Sequence, residues 1–162
     1  MAHIFIGIGS SFDREKNIKL ALSTLKENFG EIHFSSVFES EAVGFEGSNF
    51  YNLVAEFYSE LPINELIKQL KSIELMLGRP VKAIKNAPRG IDLDLLLYDQ
   101  YIDLSVNVPR SDIIEHAFVL QPLAELAPTL LHPVLQQRYQ ALWQAYPRDK
   151  QRLWKIELPF IE

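Results

Sequence analysis

Apolar and polar residues repeat along the chain with two periods, and the changes between them predict its secondary structure. The apolar, β-branched run from His3 to Ile8 ends at Gly9-Ser10-Ser11, which predicts a buried strand in the centre of a sheet. A helix should follow, capped by Asp13 and ended by Gly30, because apolar residues recur there at helical spacing. Those residues are Ile18, Ala21, Leu22, Leu25 and Phe29. This part of the chain is therefore predicted as a strand and a helix.

Two β-rich segments come next, from Phe34 to Phe38 and from Leu53 to Tyr58. The stretch between them is rich in glycine, serine and asparagine, which predicts a loop. Pro62 then opens a second helix, which Gly78 ends. Its apolar residues follow the i, i+3, i+4, i+7 rule and are Ile63, Leu66, Ile67, Leu70, Ile73 and Leu77. The pattern thus predicts two strands and a second helix.

The segment from Arg79 to Gly90 has no apolar period and is predicted as a basic loop, and a strand is predicted from Ile91 to Tyr98. Ser111 or Asp112 can cap a helical region that ends at Ala127 and is interrupted by Pro122. A last helix is predicted from Leu135 to Tyr146. The tail from Arg148 to Glu162 mixes charged and aromatic residues and gives no assignment.

The predicted order is β-α-β-β-α-β followed by additional C-terminal helices. This order matches the split βαβ pattern of ferredoxin-like α+β folds, in which helices lie on a sheet. The sequence contains no internal repeat, low-complexity segment or linker. We therefore expect residues 1–162 to form a single domain.

Composition narrows the possible functions. The 162 residues are 48% hydrophobic and 23% charged, as in a globular domain. A net charge of −5 gives no overall positive field for a nucleic-acid backbone, and the absence of cysteine excludes disulfides and thiolate metal sites. No basic leader precedes the first apolar run, and no run reaches the roughly 18 apolar residues that span a bilayer. We therefore expect a cytoplasmic monomer with neither nucleic-acid nor membrane partners.

The predicted strand after the basic loop contains two aspartates at alternate positions, Asp92 and Asp94. Alternation places both on one face, about 7 Å apart at their Cα atoms. The opposite face should carry Ile91, Leu93, Leu95 and Leu97. Two carboxylates at this separation can share one hard cation or hold two, and magnesium with phosphate oxygens suits them. The alternative is that they solvate the open face of a half-buried strand.

The basic loop before this strand carries Arg79, Lys82, Lys85 and Arg89. Charged loops are commonly solvated surface segments. Beside a carboxylate pair, however, arginines can close over a polyphosphate and stabilise the charge of a transition state. Because aspartates are poor strand formers and repel each other, their position next to this loop favours a site for a nucleotide and magnesium.

The chain resembles a known family, the 6-hydroxymethyl-7,8-dihydropterin pyrophosphokinases, over about its first 130 residues by the order of these motifs. The motifs are Ile8-Gly9-Ser10, Phe50-Tyr51-Asn52, Ile73-Glu74-Leu75-Met76-Leu77-Gly78-Arg79, the run from Pro88 to Tyr98, Val108-Pro109 and the run from Ala117 to Pro128. The resemblance implies transfer of pyrophosphate from ATP to the hydroxymethyl group of a pterin in folate biosynthesis. It also implies release of AMP and the participation of two magnesium ions.

By the same resemblance, Asp92 and Asp94 would bind both ions, and Arg79 and Arg89 would assist the transfer. The residues at ATP would be Glu74, Arg79, Arg89, Leu95, Arg110 and His116. The residues at the pterin would be Ser40, Val43, Phe50, Asn52 and Phe118. A flat heterocycle independently needs an apolar face and fixed polar groups. Taken alone, Phe118 is also compatible with a core residue and Asn52 with a structural hydrogen bond.

Several positions depart from the family pattern on the nucleotide and pterin sides. They are Ser11, Glu41, Phe50, Val81, Asn86, Arg110, Ser111 and His116. His116 stands where an arginine is typical, and Arg110 and Ser111 stand where a histidine precedes another histidine or an aromatic residue. Two alternatives follow: a diverged paralogue that acts on another heterocyclic alcohol, and a pterin- or nucleotide-binding module without turnover.

Overall fold

The computed structural model describes residues 1–41, 49–77, 90–147, 149 and 151–158. In these ranges the strands are β1 (Ala2–Ser10), β2 (His33–Phe34), β3 (Val37–Ser40), β4 (Phe50–Ser59), β5 (Asp92–Tyr98) and β6 (Leu153–Ile156). The helices are α1 (Arg14–Phe29), α2 (Ile63–Met76), α3 (Asp112–Glu115), α4 (Ala117–Leu126) and α5 (Tyr139–Ala145). The predicted glycine-rich loop, the helix stop at Gly78 and the basic loop lie largely or wholly outside the described residues.

The strands form one antiparallel sheet in the order β5-β1-β4-β3-β6, and β2 pairs with β4. The predicted α+β class and the interior position of β1 are confirmed. The prediction of one strand from Phe34 to Phe38 is wrong, because Ser35 and Ser36 divide it into β2 and β3. The Val54 N–H donates to Ser35 Oγ (3.0 Å), and the Ser35 N–H donates to the Val54 carbonyl (2.8 Å), so the Ser35 side chain replaces one backbone acceptor of regular strand pairing.

One face of the sheet is covered by α1 and α2 and buries the larger apolar cluster. Strand β1 contributes Ile4, Ile6 and Ile8 to it, while α1 contributes Ile18 and Leu25. Helix α2 begins after Pro62 and α1 ends at Gly30 (φ 81°), both as the sequence predicts. Asp13 precedes α1 but does not cap it with its side chain, because its backbone is left-handed (φ 44°) rather than extended. We call this face the packed face.

The opposite face is only partly covered, by α3, α4 and α5. These helices bury Phe5, Val54, Leu96 and Leu97. The prediction that Leu97 shares a face with Leu93 is wrong, because the β1–β5 register shifts between Phe5 and Ile6. The bulge puts the neighbours Leu96 and Leu97 on the same side of the sheet. We call this side the open face.

The helices of the open face correct two sequence predictions. Pro122 lies inside α4, and the interruption falls instead at His116, whose extended backbone (φ −126°, ψ 126°) separates α3 from α4. The last helix begins at Tyr139 rather than at Leu135, because the preceding residues form a turn around His132. The Nδ1 atom of His132 accepts the N–H groups of Val134 and Leu135, both at 3.1 Å.

The tail that the sequence left unassigned provides the edge strand β6, in which Leu153 pairs with Ser40 and Ile156 pairs with Val37. An ion pair between Arg152 and Glu41 (3.3 Å) continues this contact beyond the strand. Within the described ranges, no helix combines the length and the apolar character needed to cross a lipid bilayer.

Candidate active site

A cavity of about 380 Å³ opens on the open face where β1, β4 and β5 lie side by side. Its floor is formed in part by Gly7 and Gly9 of β1, which project no side chain into it. Isoleucines alternate with these glycines along β1 and point to the packed face. The cavity therefore exists because one strand carries large residues on one side and none on the other.

Two carboxylates line one wall of this cavity. Alternation along β5 brings Asp92 and Asp94 to the same side, as the sequence predicts, and both are half-buried. Arg110 reaches from the segment before α3, with its Nη2 atom 3.6 Å from Asp94 Oδ1 and its Nε atom 3.0 Å from Asp112 Oδ2. Burial raises the pKa of Asp94, the Arg110 guanidinium lowers it, and the neighbouring Asp92 raises it further. Because burial and Asp92 both disfavour the charged form of Asp94, a cation beside the two aspartates would be stabilising.

The donor set on β5 fits magnesium. Carboxylate oxygens are the protein ligands that this ion prefers, and magnesium commonly keeps the remaining positions for water and substrate phosphate. Burial and the second carboxylate two residues away both disfavour the charged form of Asp94, and a divalent cation would offset both effects. Asp92 and Asp94 are the residues that would hold it.

The wall opposite the carboxylates carries neutral polar groups. Asn52 of β4 is buried, and its Nδ2 atom donates to Ser40 Oγ of β3 at 3.4 Å. Its Oδ1 atom lies against Gly9, where an added Cβ would come within 2.8 Å of that oxygen. The close approach explains the glycine of the Ile8-Gly9-Ser10 motif, because any other residue would displace the Asn52 amide.

Aromatic residues complete the cavity. Phe50 and Phe118 both line it, and the ring of His116 stacks on that of Phe118 at 4.8 Å with an interplanar angle of 13°. His116 also lines the cavity. A nitrogen of its ring and one carboxylate oxygen each of Asp112 and Glu115 lie within 4.8 Å of one another. The arrangement provides apolar faces and a fixed polar edge, as a planar heterocycle requires.

Asp94 also borders a second, smaller crevice of about 60 Å³ between α2 and β5. The crevice is lined by Leu95 and Arg110 together with Ile67, Leu70, Lys71, Leu93 and Val106. Asp94 is therefore common to the walls of both depressions. Two bound molecules, one in each depression, would meet at this carboxylate.

Glu74 lies in the wall of neither depression. It is 2% exposed, and its Oε1 atom accepts the N–H of Leu93 at 2.6 Å. The ammonium of Lys71 approaches its other oxygen at 3.5 Å. Leu93 stands between the two aspartates, so Glu74 ties α2 to the part of β5 that carries them. A role of Glu74 at the nucleotide stays a prediction.

The structure brings together most of the residues that the sequence predicted for the site. Ser40, Phe50, Asn52 and Phe118 line the cavity with Asp92, Asp94 and His116, while Leu95 and Arg110 line the crevice. Val43, Arg79 and Arg89 lie outside the described residues. Sequence reasoning missed Asp112 and Gln151, which also line the cavity. The i, i+4 spacing of Asp112 and His116 could have indicated the first, whereas no periodic pattern marks the second.

A comparison with family models matches residues 5–128 to the 7,8-dihydro-6-hydroxymethylpterin-pyrophosphokinase family. A curated 2-amino-4-hydroxy-6-hydroxymethyldihydropteridine pyrophosphokinase from Aquifex aeolicus is 36% identical over 138 residues, which cover 83% of this chain and 86% of the relative. The enzyme of the same name from Bacillus subtilis is 34% identical over 128 residues, covering 75% and 76% of the two chains.

Solved structures show the same fold. A crystal structure of an HPPK-DHPS protein in complex with substrates superposes with a TM-score of 0.71 at 11% identity and covers 92% of this chain. A Plasmodium falciparum HPPK-DHPS with pterin and p-hydroxybenzoate superposes with a TM-score of 0.66 at 14% identity. This chain spans less than half of each of those proteins, at 46% and 42% of their lengths.

Proposed function

The chain belongs to the 7,8-dihydro-6-hydroxymethylpterin-pyrophosphokinase family, and we propose that it transfers pyrophosphate from ATP to 6-hydroxymethyl-7,8-dihydropterin. The pterin hydroxyl oxygen would attack the β-phosphorus of ATP and lose its proton, while the bond to the α-phosphate oxygen breaks and AMP leaves. The observation that carries the proposal is the position of Asp94, which borders both the large cavity and the crevice. A reaction that joins two substrates needs such a meeting point.

The pterin would occupy the large cavity. Phe50 and Phe118 would supply its apolar walls, and Asn52 and Ser40 its polar edge. Val43, which lies outside the described residues, belongs to the same proposal on the basis of the family resemblance. A fixed amide is suited to a pterin because the heterocycle presents donors and acceptors side by side.

ATP would approach from the crevice, with Leu95 against the nucleoside and Arg110 at a phosphate. His116, on the cavity side of Asp94, would face the far end of the polyphosphate. Arg79 and Arg89 would assist from the segment outside the described residues. Magnesium at Asp92 and Asp94 would neutralise phosphate charge and polarise the transferred group. Because ATP is supplied inside cells, we place this activity in the cytoplasm.

Measuring AMP tests the proposal directly. Purified protein mixed with magnesium, ATP and 6-hydroxymethyl-7,8-dihydropterin should form AMP and the pterin pyrophosphate in equal amounts, and ADP should not accumulate. Glu65→Gln on the exposed side of α2 is the matched control for substitutions of Asp92 and Asp94, since the Glu65 carboxylate lies away from both depressions and should not affect the rate. Intact binding of both substrates without AMP, at enzyme concentrations equal to theirs, would instead establish a binding module.

A second candidate is transfer to another heterocyclic alcohol, which the residue at position 41 favours. Glu41 lines the cavity and pairs with Arg152 at its rim, so the entrance is charged. Thermal-shift screening of pterins and related alcohols separates the two candidates, because a ligand that binds only the native state raises its melting temperature. Clear stabilisation by the dihydropterin would eliminate the second candidate.

A further inference from the structure

One wall of the large cavity is built by a part of the chain that follows the family match. Gln151 lines the cavity just before β6, whereas the match ends at residue 128. The pairing of β6 with β3 brings Leu153 opposite Ser40, and the Glu41 N–H lies 3.5 Å from the Arg152 carbonyl. Gln151 is therefore held beside the polar wall that Ser40 and Asn52 form.

The amide oxygen of Gln151 is buried and has no hydrogen-bond partner among the described residues. Among all the residues that the structure describes, one other buried side-chain polar atom lacks a hydrogen-bond partner. It is the Tyr139 hydroxyl, which lies in the apolar core of α4 and α5. Buried acceptors are almost always paired, because an unpaired one loses its bonds to water without replacement. The Gln151 oxygen differs from the Tyr139 hydroxyl in that its residue lines a cavity large enough for a ligand.

We propose that Gln151 determines which heterocycle the cavity accepts, by accepting a hydrogen bond from an amino or ring N–H group of the ligand. This inference rests on the proposed function and deepens it. The pterin carries an exocyclic amino group and one ring N–H on its pyrimidine ring, and these donors match an acceptor that stands beside Asn52. A heterocycle with an acceptor at the same edge would leave two oxygens facing each other and would be rejected.

Replacing Gln151 with methionine tests the role of its oxygen, since methionine has a similar length and no strong acceptor. The variant Gln151→Met should bind the dihydropterin about 5- to 100-fold more weakly, the range expected when a ligand donor is left unpaired in a buried site. Affinity for ATP and magnesium should not change. A pterin analogue without the exocyclic amino group identifies the donor, because it should lose little affinity on the same substitution if the amino group donates to this oxygen and should lose as much as the dihydropterin if the ring N–H donates.

Gln140→Met provides the matched control, because Gln140 is exposed on α5 and lies away from the cavity. Isothermal titration of each ligand with the folded variants gives the comparison, and their melting temperatures check that both fold. Equal dihydropterin affinity for wild type and Gln151→Met overturns the inference, whatever the turnover. If the wild type binds the dihydropterin but forms no AMP, only the proposed reaction is overturned. If the wild type does not bind the dihydropterin, both the reaction and the role of Gln151 are overturned.

Discussion

The two faces of the sheet differ in what the same strands present to them. On the packed face, β1 offers Ile4, Ile6 and Ile8, each at most 2% exposed, to the helices that cover it. On the open face the intervening positions include Gly7 and Gly9, and β5 adds two aspartates there. Hydrophobic burial holds the first face together. The second face gives up packing to make the large cavity, so along β1 the residues that pack and the residues that form the cavity lie on opposite sides of the sheet.

The largest expected effect comes from the carboxylates of the open face. Asp94→Ala or Asp92→Ala should lower kcat by on the order of 10³-fold, because several kcal/mol of magnesium-dependent transition-state stabilisation would be lost. The fold should survive, since removing one of two repelling charges does not destabilise an empty site. Steady-state AMP formation at saturating magnesium measures the loss. Wild-type turnover in either variant would show that the metal assignment is wrong.

The packed face should respond in the opposite way. Leu25→Ala in α1 removes a side chain with no exposure and should lower the free energy of unfolding by about 2–5 kcal/mol. At a temperature where the variant is folded, its kcat should stay within a factor of about two of the wild-type value. The reason is that a substitution has little energetic effect on residues with which it shares no contacts. Leu20→Ala, on the same helix but 41% exposed, is the control and should change the urea midpoint little. A large loss of kcat in the folded Leu25 variant would break the division between the faces.

The glycine floor gives a smaller, more selective effect. Gly9→Ala would push the Asn52 amide aside and should weaken dihydropterin binding by about 5- to 100-fold, with ATP affinity retained. Gly7→Ala is the comparison, because the atoms nearest to its Cβ would be those of the Leu96 side chain, at an ordinary contact distance of 3.5 Å. Calorimetric titration of both variants measures the difference. Equal losses at the two positions would mean that cavity volume, rather than the Asn52 amide, limits binding.

The smallest effect concerns stability and pH. Burial raises the pKa of Asp94, so the folded state favours its protonated form. The protonated Asp94 carboxyl contributes fully to stability below the ordinary aspartate pKa. This contribution is lost as the pH rises through the raised pKa of Asp94 in the folded state. In EDTA at pH 7, Asp94→Asn should therefore melt at a higher temperature than the wild type. The difference should vanish near pH 3.5 and shrink when magnesium is added, and a wild type more stable than Asp94→Asn at pH 7 without metal would contradict it.

The sequence predicts those features that depend on local periodicity. Alternation along β5 was enough to place Asp92 and Asp94 together, and helical spacing with Pro62 was enough to locate α2. Sequence-based prediction failed where the conformation of a segment depends on a strand that is distant in the sequence. The side on which Leu97 lies depends on a bulge against β1, and the tail becomes a strand only because β3 leaves an edge open. Gln151 could not be predicted for the same reason.

Glu74 has a consequence for aggregation. Strand β5 forms an edge of the sheet, and an aliphatic edge strand with free backbone N–H groups is a template for pairing with other chains. The Glu74 carboxylate occupies the outward Leu93 N–H between the two aspartates. Charged residues flanking a hydrophobic strand also act as gatekeepers against such pairing. A substitution that removes the Glu74 carboxylate would therefore free this N–H and expose an edge on which copies of the chain can pair.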